Sequence, residues 1–138
     1  MAAIAVFALL CGGCSQFGGG VDIEHDQELV DKLKDLVDEE GTAKLADLTD
    51  FSWDRVHIFE EYADAKRIEK IVGEPVIDDE YYSAQNTNLL IFVNDGDVTR
   101  AIEMPYMLNY DNRFTWDADV VVKPAAPDRR SILKLSDP

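Results

Sequence analysis

Beyond Cys14 the chain of 138 residues contains no cysteine, and the only other one, Cys11, stands three positions earlier. From residue 15 onward, disulfides, thiolate nucleophiles and thiolate metal sites are therefore excluded. Histidine is as scarce. His25 and His57 fall in different elements with no second His or Cys at ligand spacing, so the three or four ligands of a zinc site are missing. Basic residues number 13 against 28 acidic ones, a formal charge of −15. Binding to phosphate backbones draws most of its free energy from cationic side chains that displace counterions, so no nucleic-acid partner is expected. The same field disfavours a basic patch that lies on anionic lipid. It favours solubility, and among partners it favours cationic ones.

Catalytic motifs are missing too. No serine sits in a Gly-x-Ser-x-Gly elbow. Gly18-Gly19-Gly20 is not followed by the Lys and Ser/Thr of a phosphate loop. Asp47, Asp50 and Asp54, Asp78-Asp79-Glu80, and Asp95 with Asp97 are acidic clusters, but none has the alternating ligands, central Gly and terminal Glu of a calcium loop. With 28 acids in the chain, chance carboxylate pairs are unavoidable and carry no information. The expectation is a protein that is not an enzyme and has no metal and no cofactor.

What is present begins with an apolar run, Ala2 to Leu10. It falls within the roughly 7 to 15 residues of a signal-peptide core and well short of the ~20 that cross a bilayer. The sequence Leu10-Cys11-Gly12-Gly13-Cys14 that follows it resembles the lipobox of bacterial lipoproteins, in which small residues precede a cysteine that is acylated and becomes the new N-terminus. Cys11 occupies the position where that family usually has Leu, and Met1-Ala2-Ala3 contributes no Lys or Arg. The resemblance implies a signal peptide over 1–13 and a lipidated, glycine-rich tether over 14–21 with Cys14 as acceptor, and the length and 46% hydrophobic content fit a single domain over 22–138. The resemblance also implies attachment to a membrane of the cell envelope, facing the periplasm or exterior. Ser15 after the acceptor resembles the sorting signal for the outer membrane of a Gram-negative cell. At about 0.8 kcal/mol per buried methylene, two or three acyl chains hold firmly where one does not.

In the remaining chain, apolar Leu29, Val30, Leu33, Leu36 and Val37 recur at helical spacing within Asp22 to Glu40, and Gly41 reads as the stop. Phe51 to Glu60 is rich in aromatic and β-branched residues and reads as a strand, with Val56 and Ile58 on one face and Arg55, His57 and Phe59 on the other. Asp64 caps a second helix through Val72, which Gly73 ends. Leu89 to Val93 and Val98 to Glu103 flank Asn94-Asp95-Gly96-Asp97, a strong hairpin signature. A two-residue loop sets Val93 opposite Val98 and Ile91 opposite Arg100, and a bulge shifts that register by one. Leu89 to Val93 is apolar on both faces, which makes it a central strand. Tyr106 to Trp116 reads as an irregular loop, Asp119 to Lys123 as a strand, and Ser131 to Leu135 as a final edge strand. The strands after the second helix follow one another directly. The expected fold is therefore α+β: two layers, an antiparallel sheet of four to five strands with two helices packed on one face.

The run Thr49-Asp50-Phe51-Ser52-Trp53-Asp54-Arg55-Val56-His57-Ile58-Phe59, continuing through Tyr62 to Ile68-Glu69-Lys70-Ile71-Val72-Gly73, resembles a group of small bacterial lipoproteins. The likeness covers about a third of the chain. Glu60-Glu61 stands where the group has Gly-Pro before the tyrosine. No activity is established for that group, so the resemblance bears on location and fold.

Loops carried on a rigid sheet are where binding sites concentrate, and this chain has tyrosines in its loops. Tyr81, Tyr82, Tyr106 and Tyr110 are the candidate binding residues, while Trp53 and His57 read as sheet and core residues. The expected function is a lipid-anchored, non-catalytic envelope module that binds a protein or ligand. One alternative is an inhibitor or immunity-type lipoprotein that captures a cationic enzyme. Another is a hydrolase that uses a carboxylate pair.

Overall fold

The computed structural model describes residues 21–109, 111–126 and 132–138. Cys11, Cys14, Tyr110 and Ser131 lie outside the described residues. In chain order the elements are β1 (Ile23–His25), α1 (Gln27–Asp38), β2 (Ala43–Lys44), α2 (Leu45–Leu48), β3 (Arg55–Glu60), α3 (Ala65–Val72), β4 (Thr87–Asn94), β5 (Asp97–Pro105), β6 (Leu108–Asn109), β7 (Thr115–Asp117), β8 (Val121–Pro124) and β9 (Leu133–Ser136). The α+β class expected from the sequence is the one observed.

Local chemistry starts and stops the helices. Asp26 caps α1 by accepting from Leu29 N–H at 3.0 Å, and Asp64 caps α3 by accepting from Arg67 N–H at 2.8 Å. Gly73, at φ +101°, ends α3 in the left-handed region, where the absence of a Cβ removes the strain. The end of α1 differs from expectation. There Glu40 takes the left-handed conformation at φ 52°. Its N–H donates to Val37 O at 3.3 Å and Gly41 N–H donates to Leu36 O at 2.8 Å, the paired bonds of a Schellman motif.

The first sheet has the order β1-β5-β4-β3-β7 and the second β2-β8-β9-β6. The hairpin between β4 and β5 turns through Asp95 and Gly96, both at positive φ (52° and 87°), as a two-residue loop of primed type requires. Val93 pairs with Val98, and a register shift between Phe92 and Val93 then sets Phe92 opposite Arg100 and Ile91 opposite Ala101. The tight turn and the bulge thus occur together.

Alternation along β3, β4 and β5 divides the core in two. Val56, Ile58, Leu90, Phe92, Ile102 and Met104 pack with α1, α2 and the second sheet through Leu29, Leu33, Leu45, Val122, Leu133 and Leu135. On the opposite face Phe59, Leu89, Ile91 and Ala101 pack with Ile68 of α3, Val76 and Tyr82. The two long helices therefore cover opposite faces of the first sheet, where one shared face was expected. The reason lies in β4, whose residues Asn88 to Val93 are all buried, so each face needs its own cover. Two further features extend the expected single antiparallel sheet. A second sheet forms, in which β9 is internal between β8 and β6, and both sheets are mixed, with β1 parallel to β5 and β6 parallel to β9.

The two sheets are joined at Asn88, which is fully buried. Its Oδ1 accepts from Met107 N–H and Leu108 N–H, each at 3.1 Å, and its Nδ2 donates to Leu108 O at 3.4 Å. One side chain thus satisfies the backbone where the chain leaves β5 for β6.

Two stability predictions follow from these contacts. Asn88→Ala strands two buried N–H groups and is expected to lower unfolding free energy by about 1 to 3 kcal/mol per group left unpaired. Urea denaturation checks it, and an unchanged midpoint would contradict the clamp. Glu40→Gly relieves a left-handed L-residue and removes a carboxylate from a helix C-terminus, so a gain of about 0.5 to 1 kcal/mol is expected in the same assay.

Candidate functional site

The four candidate tyrosines do not share one fate. Tyr82 is 3% exposed, so it is corrected from binding residue to core residue. Its hydroxyl donates to Glu103 Oε2 at 3.0 Å and lies 2.6 Å from Thr87 Oγ1, which donates to Ala84 O. Burial holds the phenol well above its ordinary pKa. The Thr87 hydrogen bond works against that shift and the Glu103 carboxylate adds to it. Tyr81 and Tyr106 are 45% and 41% exposed. Tyr110 lies outside the described residues.

Among the described residues the most exposed tyrosine is Tyr62, at 62%, which is not one of the four candidates. It stands at φ 63°, a conformation uncommon for a bulky side chain. Its place is fixed by backbone bonds. Tyr62 N–H donates to Tyr82 O at 2.6 Å, Tyr82 N–H to Ala63 O at 2.9 Å, and Ala65 N–H to Glu80 O at 2.9 Å, while Asp64 and Tyr81 form an antiparallel bridge. Residues 62–65 and 80–82 therefore run side by side. Asn86 ties in the third connection, since its N–H donates to Glu61 Oε2 and its carbonyl accepts from Tyr106 N–H at 2.8 Å.

The connections after β3, before β4 and after β5 thus meet at one end of the first sheet, and they carry Tyr62, Tyr81 and Tyr106. Among the described residues these three and Ile23 are the large apolar side chains that remain exposed. Beside them a cavity of about 270 Å³ is lined by Phe59, Glu61, Tyr62, Arg67, Asn112 and Phe114. Its wall is rigid, because Phe59 stacks on Phe114 with ring centroids 5.7 Å apart and the Arg67 guanidinium lies 4.6 Å from the Phe114 centroid. The signal that could have identified Tyr62 is its position directly after a strand that ends in Glu60-Glu61. Its exposure depends on a left-handed backbone that no periodicity reveals.

Other polar groups serve the fold. His57, buried on β3, has Nδ1 2.9 Å from Thr115 Oγ1 on the paired strand. Burial, aided by the Arg55 charge, lowers its pKa from 6.5 to about 4. Trp53 is buried and donates to Thr49 Oγ1 at 2.9 Å. A cavity of about 200 Å³ at the opposite edge surrounds Arg100. Its guanidinium is held by Glu24 at 2.8 Å, with Asp26 and Asp50 at 3.7 and 3.8 Å. Among the described residues no group of three or more His, Cys, Asp or Glu could hold a metal ion, and no helix is long and apolar enough to cross a membrane.

No family model, curated protein or solved structure matches this chain. The residues themselves carry the functional argument.

His57 makes a testable statement about pH. Its folded pKa lies below the unfolded value, so the unfolded chain takes up the proton first as pH falls. The stabilisation is complete above pH 6.5 and is lost between 6.5 and about 4, a change on the order of 3 kcal/mol at most. Chemical denaturation across that window should show a shallower slope for His57→Gln, which keeps a polar group facing Thr115. Identical slopes would contradict the assignment.

Proposed function

We propose that the protein is a lipid-anchored, non-catalytic module of the bacterial cell envelope, and that the tyrosine-bearing end of its first sheet is its binding surface. The observation that carries this reading is the convergence of Tyr62, Tyr81 and Tyr106. Three separate connections bring three exposed rings to one end of a rigid sheet. Tyrosine supplies large contact area with few rotatable bonds and keeps a polar tip in water, which is why exposed groups of it favour recognition.

The direction of β1 supports the anchor half of the reading. Because β1 runs parallel to β5, with Ile23 opposite Ala101 and His25 opposite Glu103, the chain before Ile23 leads towards the Asp95-Gly96 turn. Val21 packs into the core on that side with Ala101 and Val98. The tyrosine end begins at Pro105, four residues beyond Ala101, a strand distance of about 13 Å. The described chain therefore begins at the end of the sheet away from the tyrosines, which leaves that surface free for a partner in the aqueous compartment when the protein is held through Cys14.

Two measurements test the two halves. Metabolic labelling with an alkyne palmitate analogue is expected to mark the wild type and not Cys14→Ser, and equal labelling would refute the anchor. A photo-crosslinking residue introduced at position 62, 81 or 106 in native envelopes is expected to trap a discrete adduct, while one at position 95 traps none. Adducts equally abundant at 95, or absent from all three tyrosine positions, would refute the surface.

A further inference from the structure

The side chains around the exposed tyrosines define the chemistry of what binds there. Residues 62–65 and 80–82 form a short ribbon in which Asp64 pairs with Tyr81, and Glu61 and Glu80 precede Tyr62 and Tyr81 in the chain. Asp78, Asp79 and Glu80 are all exposed and line, with Asp64, Glu69 and Lys66, a cavity of about 390 Å³, where five carboxylates face one ammonium. The ribbon contributes to two cavities, with Asp64 and Ala65 lining this one and Tyr62 and Ala63 lining that of about 270 Å³.

Elsewhere the chain lays its own cations over three aromatic rings. Arg67 lies over Phe114 at 4.6 Å, Arg100 over Phe51 at 4.6 Å and Arg113 over Trp116 at 3.8 Å. Among the described residues, no guanidinium or ammonium covers Tyr62 or Tyr81. These two are therefore exposed rings without a cation of the chain's own, whereas Phe114, Phe51 and Trp116 each have one.

We propose that this end of the sheet takes an extended polypeptide segment bearing arginine, whose guanidinium groups lie on Tyr62 and Tyr81 and pair with Asp78, Asp79 and Glu80. The inference rests on the binding surface proposed above and adds the charge and form of its partner. An aromatic face attracts a cation through its quadrupole, and neighbouring carboxylates reinforce that attraction. Guanidinium is planar and weakly hydrated, so it stacks and pairs at once where ammonium does one or the other. Phosphate polymers and acidic peptides meet the same carboxylates as repulsion.

Fluorescence anisotropy of a labelled alternating arginine–glycine peptide against the full chain, at low salt, tests the proposal. Saturable binding is expected, with the lysine–glycine counterpart weaker. Tyr62→Asn combined with Tyr81→Gln should weaken binding about tenfold, and Asn suits the left-handed backbone at position 62. The triple change Asp78→Asn, Asp79→Asn and Glu80→Gln should do the same. Asp35→Asn, Asp38→Asn and Glu39→Gln on α1 remove equal charge from another surface and should leave affinity within about twofold. All of these variants should keep the wild-type circular dichroism. Absence of saturable binding, rim variants that bind as tightly as wild type, or α1 changes that weaken binding as much as rim changes would each overturn the inference. A crosslinked partner at positions 62, 81 and 106 with no arginine preference would leave the binding surface standing and remove only this assignment.

Discussion

The structure is organised by one constraint: β4 is buried on both faces. From Asn88 to Val93 six consecutive residues are inaccessible, so a sheet with one solvated face is not available to this chain. One face requires α1, α2 and the second sheet, and the other requires α3 with Val76 and Tyr82. Phe92 shows how closely the first cover fits. Phe51 and Trp53 meet its ring edge-on at 4.9 and 5.1 Å, a geometry that adds quadrupole attraction to buried area. Where the two layers exchange chain a buried polar group is needed, and Asn88 serves there.

The same constraint shapes the tyrosine end. Because α3 must lie against Phe59, Leu89 and Ile91, the chain leaving β3 has only residues 61–64 in which to turn onto that face. The left-handed conformation of Tyr62 belongs to that short turn. The return from α3 to β4 is sealed by Tyr82, whose buried ring and bonded hydroxyl hold residues 80–82 against 62–65. One tyrosine is thus used inward so that its neighbours Tyr81 and Tyr62 stand outward. Residues exposed by a backbone fixed in this way lose less conformational freedom on binding than residues of a free loop.

How much of this could be read from the sequence depends on how local the cause is. The cap at Asp64, the stop at Gly73, the Asp95-Gly96 turn and the central position of Leu89 to Val93 each depend on residues a few positions apart, and all are visible in the chain, whereas the cap at Asp26 is not singled out among the acids before α1. The second sheet is not. Its strands β2 and β6 have two residues each, too few for any alternation to show, and β6 finds β9 across more than twenty residues. The parallel pairing of β1 is hidden in the same way, because Ile23 to His25 are exposed and carry no pattern. Within the site, tyrosines in loops could be identified, but the division of Tyr82 from Tyr81 depends on which face of the ribbon meets the core. Glu40 shows the opposite limit: Gly41 beside it was the natural stop, yet the left-handed residue is the glutamate.

Charge is the remaining link between fold and function. Every described arginine is already engaged: Arg55 with Asp117, Arg67 over Phe114, Arg100 with Glu24, Asp26 and Asp50, and Arg113 with Asp137 and Trp116. These contacts fasten edges and loops, and they withdraw the most effective cations from the surface. What faces water is a field dominated by carboxylates, which outnumber Lys and Arg 28 to 13 in the chain and whose mutual repulsion opposes compactness. Salt screens such a field within about 10 Å, but it cannot stack on a ring. A partner that places guanidinium groups among Asp78, Asp79 and Glu80 relieves repulsion at the same place where Tyr62 and Tyr81 offer uncovered faces. On the proposed reading the acids at positions 78–80 face a partner, while those on α1, which lie at another surface, serve solvation.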